Sequence, residues 1–363
     1  MCIGKVTLLV PLAAALFTLA SARVLAQSQR KDKIVMPIQI AAGLPATLGV
    51  IAPNGHVEAD VKILLSDGET VATDESGRAH FLAPASPGIF FARIQGTEIC
   101  AAAEVRKMDD AKLNVGGVTR PVALNGQIEL RGSGFEGDAD KNEVIIGAGR
   151  ALVLAASPSS LIVLPPPDSQ PGTTELDVNV GGEHAATQIT LVRVDVAPLA
   201  VPPDKKRKLS IRVAGTAEPV NFRIHNIQPD VVQILGKDDA LLQTKGGSDN
   251  SVEIHVKGLR AGEFSFAVQL VHGIDVAGIP AARDFLEAAE KIAPAAEQRA
   301  FADILDILKK RNPDASAARV DLRRLAPEGL PGDYGALIRA ANDSLFGADQ
   351  PLSAGCSILV GRF

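Results

Sequence analysis

The sequence contains few aromatic residues and few cysteines. Its 363 residues include no Trp, one Tyr (Tyr334) and three Cys. Three cysteines exclude a small scaffold held together by many disulfides. The lack of Trp and the single Tyr also count against carbohydrate binding, because sugar faces usually stack on such rings.

Positive charge and long apolar runs are scarce as well. The chain has 37 Lys and Arg against 42 Asp and Glu, which gives a formal net charge of -5. A nucleic-acid-binding protein usually needs a basic face, so this balance argues against such a partner. No apolar run is long enough for a membrane helix in a mature chain.

Residues 1–26 predict a secretory signal peptide. Lys5 supplies positive charge, an apolar run covers 6–20, and small residues precede Gln27 or end slightly earlier at Ser21-Ala22. The alternative is a short membrane anchor, which the short apolar core and the following cleavage site disfavour. We therefore expect an exported protein, periplasmic or extracellular at the cell surface, with no stable membrane span after cleavage.

Cleavage leaves two cysteines, Cys100 and Cys356. In an oxidising compartment they either form a disulfide or remain buried free thiols. Pairing does not follow from sequence, so both alternatives stay open.

Three consecutive stretches have the pattern of short strands separated by turns. They cover 36–107, 112–193 and 194–272. Within them apolar residues alternate with polar ones, as in half-buried strands. Each stretch therefore predicts a small β-sandwich. The alternating sets include Ile63 and Leu65, Ile128 and Leu130, Leu209, Ile211 and Val213, and Phe264, Phe266 and Val268.

The period changes near Ala281. Phe301, Ile304, Leu305 and Leu308 follow the spacing of a helix stripe. We expect a helical segment over 280–347, as a small bundle or lying on the third sandwich. Asp333 is placed to cap its last helix and Gly347 to end it. A tail then follows over 348–363, with a last strand from Ser357 to Phe363. The predicted fold class is mainly β, with tandem Ig-like β-sandwiches followed by a small C-terminal helical segment.

The second stretch resembles the IPT/TIG domain, an Ig-like fold. The resemblance rests on an ordered series of motifs, which departs from the family only at its start (116–121). Such a resemblance implies protein–protein contact or spacing between domains. The motifs are Gly132-Ser133-Gly134-Phe135, Asn142-Glu143-Val144-Ile145-Ile146-Gly147, Pro171-Gly172 and Val178-Asn179-Val180-Gly181-Gly182.

The first stretch resembles, more weakly, the carboxypeptidase regulatory-like and bacterial Ig-like modules. The likeness lies in the turn Thr73-Asp74-Glu75-Ser76-Gly77, which precedes Phe81.

Two loops have some features of binding sites. The first loop has oxygen-bearing side chains at alternating positions, as at the start of a calcium-binding loop: Asp138, Asp140 and Asn142. An EF-hand also needs Gly at its sixth position and Glu at its twelfth, and this sequence has Glu143 and Gly149 there. A solvated acidic turn is the favoured interpretation, and a looser calcium site between modules is the alternative. The run 132–134 lacks the Lys of a phosphate-binding loop and is interpreted as a turn.

The histidines, Cys100 and a cluster of arginines do not predict a catalytic or metal site. The six histidines lack metal-ligand spacing, and a thiol enzyme at Cys100 has no local support. We expect His225 and His255 to be exposed to solvent, because they lie at the polar positions of predicted strands with alternating apolar residues. Arg319, Arg323 and Arg324 predict a solvated helix face, or else a patch for an acidic partner. No catalytic, cofactor-binding or metal-ligating residue is predicted, and no cofactor.

The sequence thus favours an exported, non-enzymatic binding or adhesion scaffold that contacts a protein partner through strand-connecting loops. The alternative is a glycan-binding accessory protein of an extracellular enzyme or polysaccharide system. A hydrolase in the helical segment is a third hypothesis. Under the leading hypothesis, 36–272 forms stacked sheets that enclose no reaction chamber.

Overall fold

The computed structural model describes residues 32–52, 55–109, 111–196, 199–236, 241–325, 331–347 and 350–359. The predicted signal peptide lies outside the described residues. The fold is mainly β with a helical segment near the C-terminus, which confirms the predicted fold class. None of the described helices is both long and apolar enough to cross a membrane.

The strands and helices follow one another along the chain in this order. The strands before the helices are β1 Lys33–Val35, β2 Gln39–Ala41, β3 Pro45–Ile51, β4 Lys62–Leu65, β5 Thr70–Ala72, β6 Arg78–Leu82, β7 Gly88–Ile94, β8 Cys100–Arg106, β9 Asn114–Val115, β10 Val122–Ala123, β11 Ile128–Ser133, β12 Asn142–Ile146, β13 Gly149–Arg150, β14 Leu152–Ser157, β15 Ser160–Leu164, β16 Gly172–Val180, β17 Glu183–Val196, β18 Lys206–Ala214, β19 Asn221–Asn226, β20 Val232–Leu235, β21 Leu241–Gln243, β22 Ser251–Gly258 and β23 Glu263–Leu270. The remaining elements are α1 Ile279–Glu290, α2 Gln298–Leu308, α3 Ala315–Leu325, α4 Gly332–Phe346 and β24 Gln350–Leu359.

The first sandwich is formed by β1 to β8. One sheet contains β1, β3 and β6, and the other has the order β2-β8-β7-β4-β5. The chain changes sheets between β1 and β2, at Pro37, because proline has no N–H to give to a strand ladder. Ile63 and Leu65 point into the core between the sheets, as their alternation predicts, and the rings of Phe81 and Phe90 stack there with centroids 5.2 Å apart.

The second sandwich continues a sheet of the first. Its β14-β15-β11-β9 sheet joins β3 through the pairing of Ala156 with Thr47. Its other sheet has the order β13-β12-β16-β17. Ile128 and Leu130 are buried between the sheets, and Phe135 fills the same core.

One long strand also joins the second sandwich to the third. The 14-residue β17 pairs first with β16 and then, from Arg193 to Val196, with β18. The third sandwich packs a β18-β22-β20 sheet against a β21-β19-β23-β24 sheet. Leu209, Ile211 and Val213 are buried between these sheets, as their alternation predicts.

The helices pack on one another and on the first sandwich, whereas one of the two predicted alternatives placed them on the third. Phe285 and Leu337 share one core with Cys100 and Ala102 of β8. The outer face of this sheet also presents apolar side chains, Phe91 among them, which need a cover. Helices contributed by a later part of the chain supply that cover, so local patterns do not reveal where they pack.

The start of α4 and the start of the last strand also differ from expectation. Pro331 occupies the N-cap position of α4, and Asp333 instead accepts a hydrogen bond from Arg93 at 2.6 Å. Gly347 ends α4 with a φ of 76°, as predicted. The chain then returns to the third sandwich, where β24 pairs with β23 from Gln350 onward, seven residues before the expected strand start at Ser357.

A close contact fixes the first sandwich to the second. The Thr47 hydroxyl donates a hydrogen bond to the Gly137 carbonyl at 2.7 Å and accepts one from the Ala139 N–H at 3.1 Å. Gly137 also lies so close to Pro45 that a Cβ on it would stand 1.7 Å from the Pro45 carbonyl oxygen. Only a residue without a side chain fits this position.

We predict that Gly137→Ala lowers the free energy of unfolding by about 1–3 kcal/mol, because the added methyl group must push two backbones apart. Gly117→Ala is the matched control, since a Cβ there meets no atom within 4 Å. Urea unfolding of both variants measures the difference. Equal stability of the two would show that the contact yields without cost.

Candidate functional site

A cavity of about 360 Å³ lies where the first sandwich, the second sandwich and α4 meet. Its walls come from the segment that contains β1, from the start of β8, from the region of β11 and from α4. The sequence predicts that the sheets of 36–272 by themselves enclose no reaction chamber. This cavity arises because α4, outside that range, closes a gap between two sandwiches.

One wall of the cavity is an open strand edge. Backbone N–H and C=O groups of successive residues in a strand point to opposite edges. The Glu104 N–H points away from β7 and donates to the Ile38 carbonyl at 2.8 Å. Cys100 and Ala102 therefore direct their backbone groups to the same edge. Pairing with β2 begins only at Glu104, so no strand among the described residues covers that edge between Cys100 and Ala102.

The α4 helix confirms where this edge points. The Arg339 guanidinium donates a hydrogen bond to the Cys100 carbonyl at 3.0 Å, and both residues line the cavity. The edge of β8 therefore faces the cavity and not bulk solvent.

The remaining walls are largely apolar. None of the described residues that line the cavity is aromatic. Concave sites of this size with apolar walls and a few polar groups are the usual places for ligands. The apolar lining side chains include Ile34, Val35, Met36, Ile38, Ile99 and Ile162.

The charged groups around the cavity are mainly acidic. Among the lining residues that the structure describes, six are charged: four are carboxylates, and Lys33 and Arg339 are the two bases. The acidic residues are Asp32, Glu98, Glu129 and Asp343. This balance favours a ligand with positive charge at its ends.

Cys100 has a buried, free thiol. Burial, together with the Asp333 carboxylate 3.6 Å from its Sγ, raises the pKa of Cys100 to about 12. A thiol with this pKa stays protonated at neutral pH and is a poor nucleophile. The structure therefore supports the free-thiol alternative at Cys100, while the side chain of Cys356 lies outside the described part of the chain.

The predicted acidic turn brings His80, Asp138 and Asp140 together, with one ligand atom of each within 4.8 Å of the others. Arg78 already pairs with Asp140 at 2.7 Å. The Asn142 amide is buried and donates to the carbonyl groups of Glu136 and Asp138, so it serves the turn's own backbone. The run 132–134 was also predicted to be a turn, but Gly132 and Ser133 belong to β11 and pair with β9, and only Gly134, at a φ of 73°, lies beyond the strand.

The other polar candidates lie apart from the cavity. His225 and His255 are exposed, as their strand positions predict. Arg319, which was expected on a solvated face, instead lies 3.8 Å from the Phe346 ring centroid and donates to the His272 carbonyl. Burial, with Arg120 and Arg319 nearby, lowers the pKa of His272 to about 4. The side chains of Arg323 and Arg324 are not among those described.

The family comparison identifies the second sandwich. The model of the IPT/TIG domain matches residues 119–194. This part of the chain is an IPT/TIG domain. The match confirms the resemblance found in its motifs, while the weaker resemblance of 36–107 stays a prediction. A search of curated proteins found no match to the chain.

Solved structures with tandem domains also resemble the chain. The I9–I11 tandem of titin is 10% identical, covers 66% of this chain and 94% of its own, and has a TM-score of 0.23. A Bacteroides ovatus SGBP-B in complex with a mixed-linkage heptasaccharide is 12% identical. The match covers 61% of this chain and 70% of the SGBP-B chain, with a TM-score of 0.21. The Escherichia coli adhesin FdeC is 11% identical. The match covers 66% of this chain and 91% of the FdeC chain, with a TM-score of 0.17. Scores this low carry no functional argument.

We predict that Cys100 resists alkylation in the folded protein. In a mature Cys356→Ser variant, iodoacetamide at pH 8 should label Cys100 at least about 100-fold more slowly than in urea, because the thiolate is rare and buried. Mass spectrometry of the Cys100 peptide measures the rate. Labelling as fast as in urea would show an accessible, ionised thiol.

We predict that His272 makes stability depend on pH. The unfolded histidine takes up a proton near pH 6.5 and the folded one only near pH 4, so the unfolded state binds more protons between these values. Lowering the pH from 7 to 5 should therefore reduce the free energy of unfolding, with His272 contributing about 1–2 kcal/mol of the loss.

His272→Gln should flatten this pH dependence, and His255→Gln, at an exposed position, should not. Urea unfolding at both pH values gives the comparison. If the two variants have the same slope, His272 is not the group responsible.

Proposed function

We propose that the protein is an exported, non-enzymatic binding scaffold that holds a protein partner at the cavity between its first sandwich, its IPT/TIG domain and α4. The main support for this proposal is the apolar cavity at this three-way junction, with an open strand edge in its wall. The proposed contact lies at a domain junction, whereas the sequence pattern predicts contact through strand-connecting loops.

The connections between the domains support a scaffold role. The first and second sandwiches share a sheet through β3 and β14, and β17 belongs to both the second and the third. The helical segment returns to the first sandwich and β24 to the third. These links hold the cavity walls in place before a partner arrives, which lowers the entropic cost of binding.

The state of the reactive groups supports binding over catalysis. The Cys100 thiol is kept protonated by burial and by Asp333. In the acidic turn, Arg78 pairs with Asp140. Neither group is prepared to act as a nucleophile or as a metal ligand.

The chemistry of the lining favours a protein over a glycan. Sugar faces stack on aromatic rings, and the cavity is lined by Ile, Val, Met and Ala side chains. Such walls accommodate apolar side chains. Export itself rests on the pattern of residues 1–26 and is part of the proposal, as are the predicted domain limits.

Photo-crosslinking tests the proposed site. A benzoylphenylalanine placed at Asp32, at the cavity, should yield one discrete crosslinked protein in the envelope fraction of the native cells. The same group at Glu253, on the exposed outer face of β22, is the matched control and should not. The protein recovered from that fraction should begin at or near Gln27.

The proposed function fails if both positions give the same crosslinks, or if the protein stays in the cytoplasm with residues 1–26 intact. Selective retention of the mature protein on a glycan array, without a protein crosslink at Asp32, would favour the glycan-binding alternative instead.

A further inference from the structure

The open edge of β8 determines what kind of partner segment the cavity takes. Resting on the proposed function, we infer that the partner contributes a short, extended, apolar peptide with basic flanks, which adds to β8 as a new strand beside Cys100 and Ala102.

The gap beside β8 is where the chain leaves the sheet. The parallel register pairs Gln39 with Glu104, and two residues earlier this register sets Pro37 opposite Ala102. Proline has no N–H for the ladder, and the preceding residues belong to β1 in the opposite sheet. One strand position next to Cys100 and Ala102 is thus left open and becomes part of the cavity.

The backbone groups at this position need a partner. Buried N–H and C=O groups are almost always hydrogen-bonded, and apolar walls offer them nothing. Arg339 serves the Cys100 carbonyl. The Cys100 N–H and the N–H and C=O of Ala102 point to the same edge, where the backbone of an added peptide strand can pair with them.

The size of the gap sets the length of the peptide. The edge from Ile99 to Ala102 is about 10 Å long at roughly 3.3 Å per residue, which matches about three or four residues of an extended peptide. Alternate side chains of such a strand point to opposite faces. The isoleucines of the lining, Ile34 and Ile162 among them, therefore favour apolar residues in the segment.

The charge around the cavity sets the flanks. Glu129 is paired with Arg131, whereas Arg93 is shared between Glu98 and Asp333. The negative charge that remains at the cavity is therefore carried by Asp32 and by the Glu98 cluster. Basic residues on either side of the apolar segment complement this charge, and acidic flanks are repelled by it.

The test uses the fluorescein-labelled peptide Lys-Lys-Val-Ile-Val-Lys-Lys and the mature protein. Fluorescence anisotropy should show saturable binding. Methylating the backbone nitrogens of the central residues keeps the side chains and removes the donors, and should weaken binding at least 10-fold. Replacing the four Lys with Glu should also weaken binding at least 10-fold. Hydrogen exchange should slow in the protein segment that contains Cys100 and Ala102.

Two variants locate the binding. Ala340→Met adds volume to the α4 side chain that lines the cavity and should weaken binding at least 10-fold. Ala302→Met, at an exposed position of α2, is the matched control and should leave the Kd unchanged. Equal melting temperatures and far-ultraviolet spectra establish that both variants are folded.

The outcomes separate this inference from the proposed function. Equal binding of the methylated and unmethylated peptides overturns strand addition, as does the absence of binding by any peptide while the crosslink at Asp32 persists. In both cases the scaffold function stands. Loss of the crosslink at Asp32 overturns the scaffold function itself.

Discussion

The apolar outer face of one sheet organises this molecule. The sheet that contains β7 and β8 is apolar on both sides, since Phe90 points into the first sandwich and Phe91 points away from it. Exposing that outer face to water is unfavourable, and a sheet with two apolar faces must be covered twice. The helical segment supplies the second layer, and its position gives the cavity its α4 wall.

The covalent path of the chain strengthens this arrangement. The helices follow the third sandwich in sequence yet pack on the first, and β24 then returns to the third. Arg93 of β7 reaches Asp333 of α4, which ties residues 240 positions apart. Because the three sandwiches also share sheets and a strand, movement of one relative to another would break main-chain hydrogen bonds.

Local patterns in the sequence predicted the sandwiches and the IPT/TIG domain, because alternation such as that of Ile128 and Leu130 depends only on near neighbours. The helix stripe at Phe301 and Ile304 was predictable for the same reason. The packing of α4 on β8 and the open edge at Ala102 were not. They depend on contacts between distant segments, and the one local signal, Pro37, marks a break without saying what lies beside it.

The late position of β24 governs the order in which the molecule becomes complete. The third sandwich has its other strands by Leu270, but β23 lacks its last neighbour until residues 350–359 are available. During synthesis, β23 therefore carries a bare edge able to join another chain. Cells that make this protein need to shield that edge until the C-terminal strand arrives.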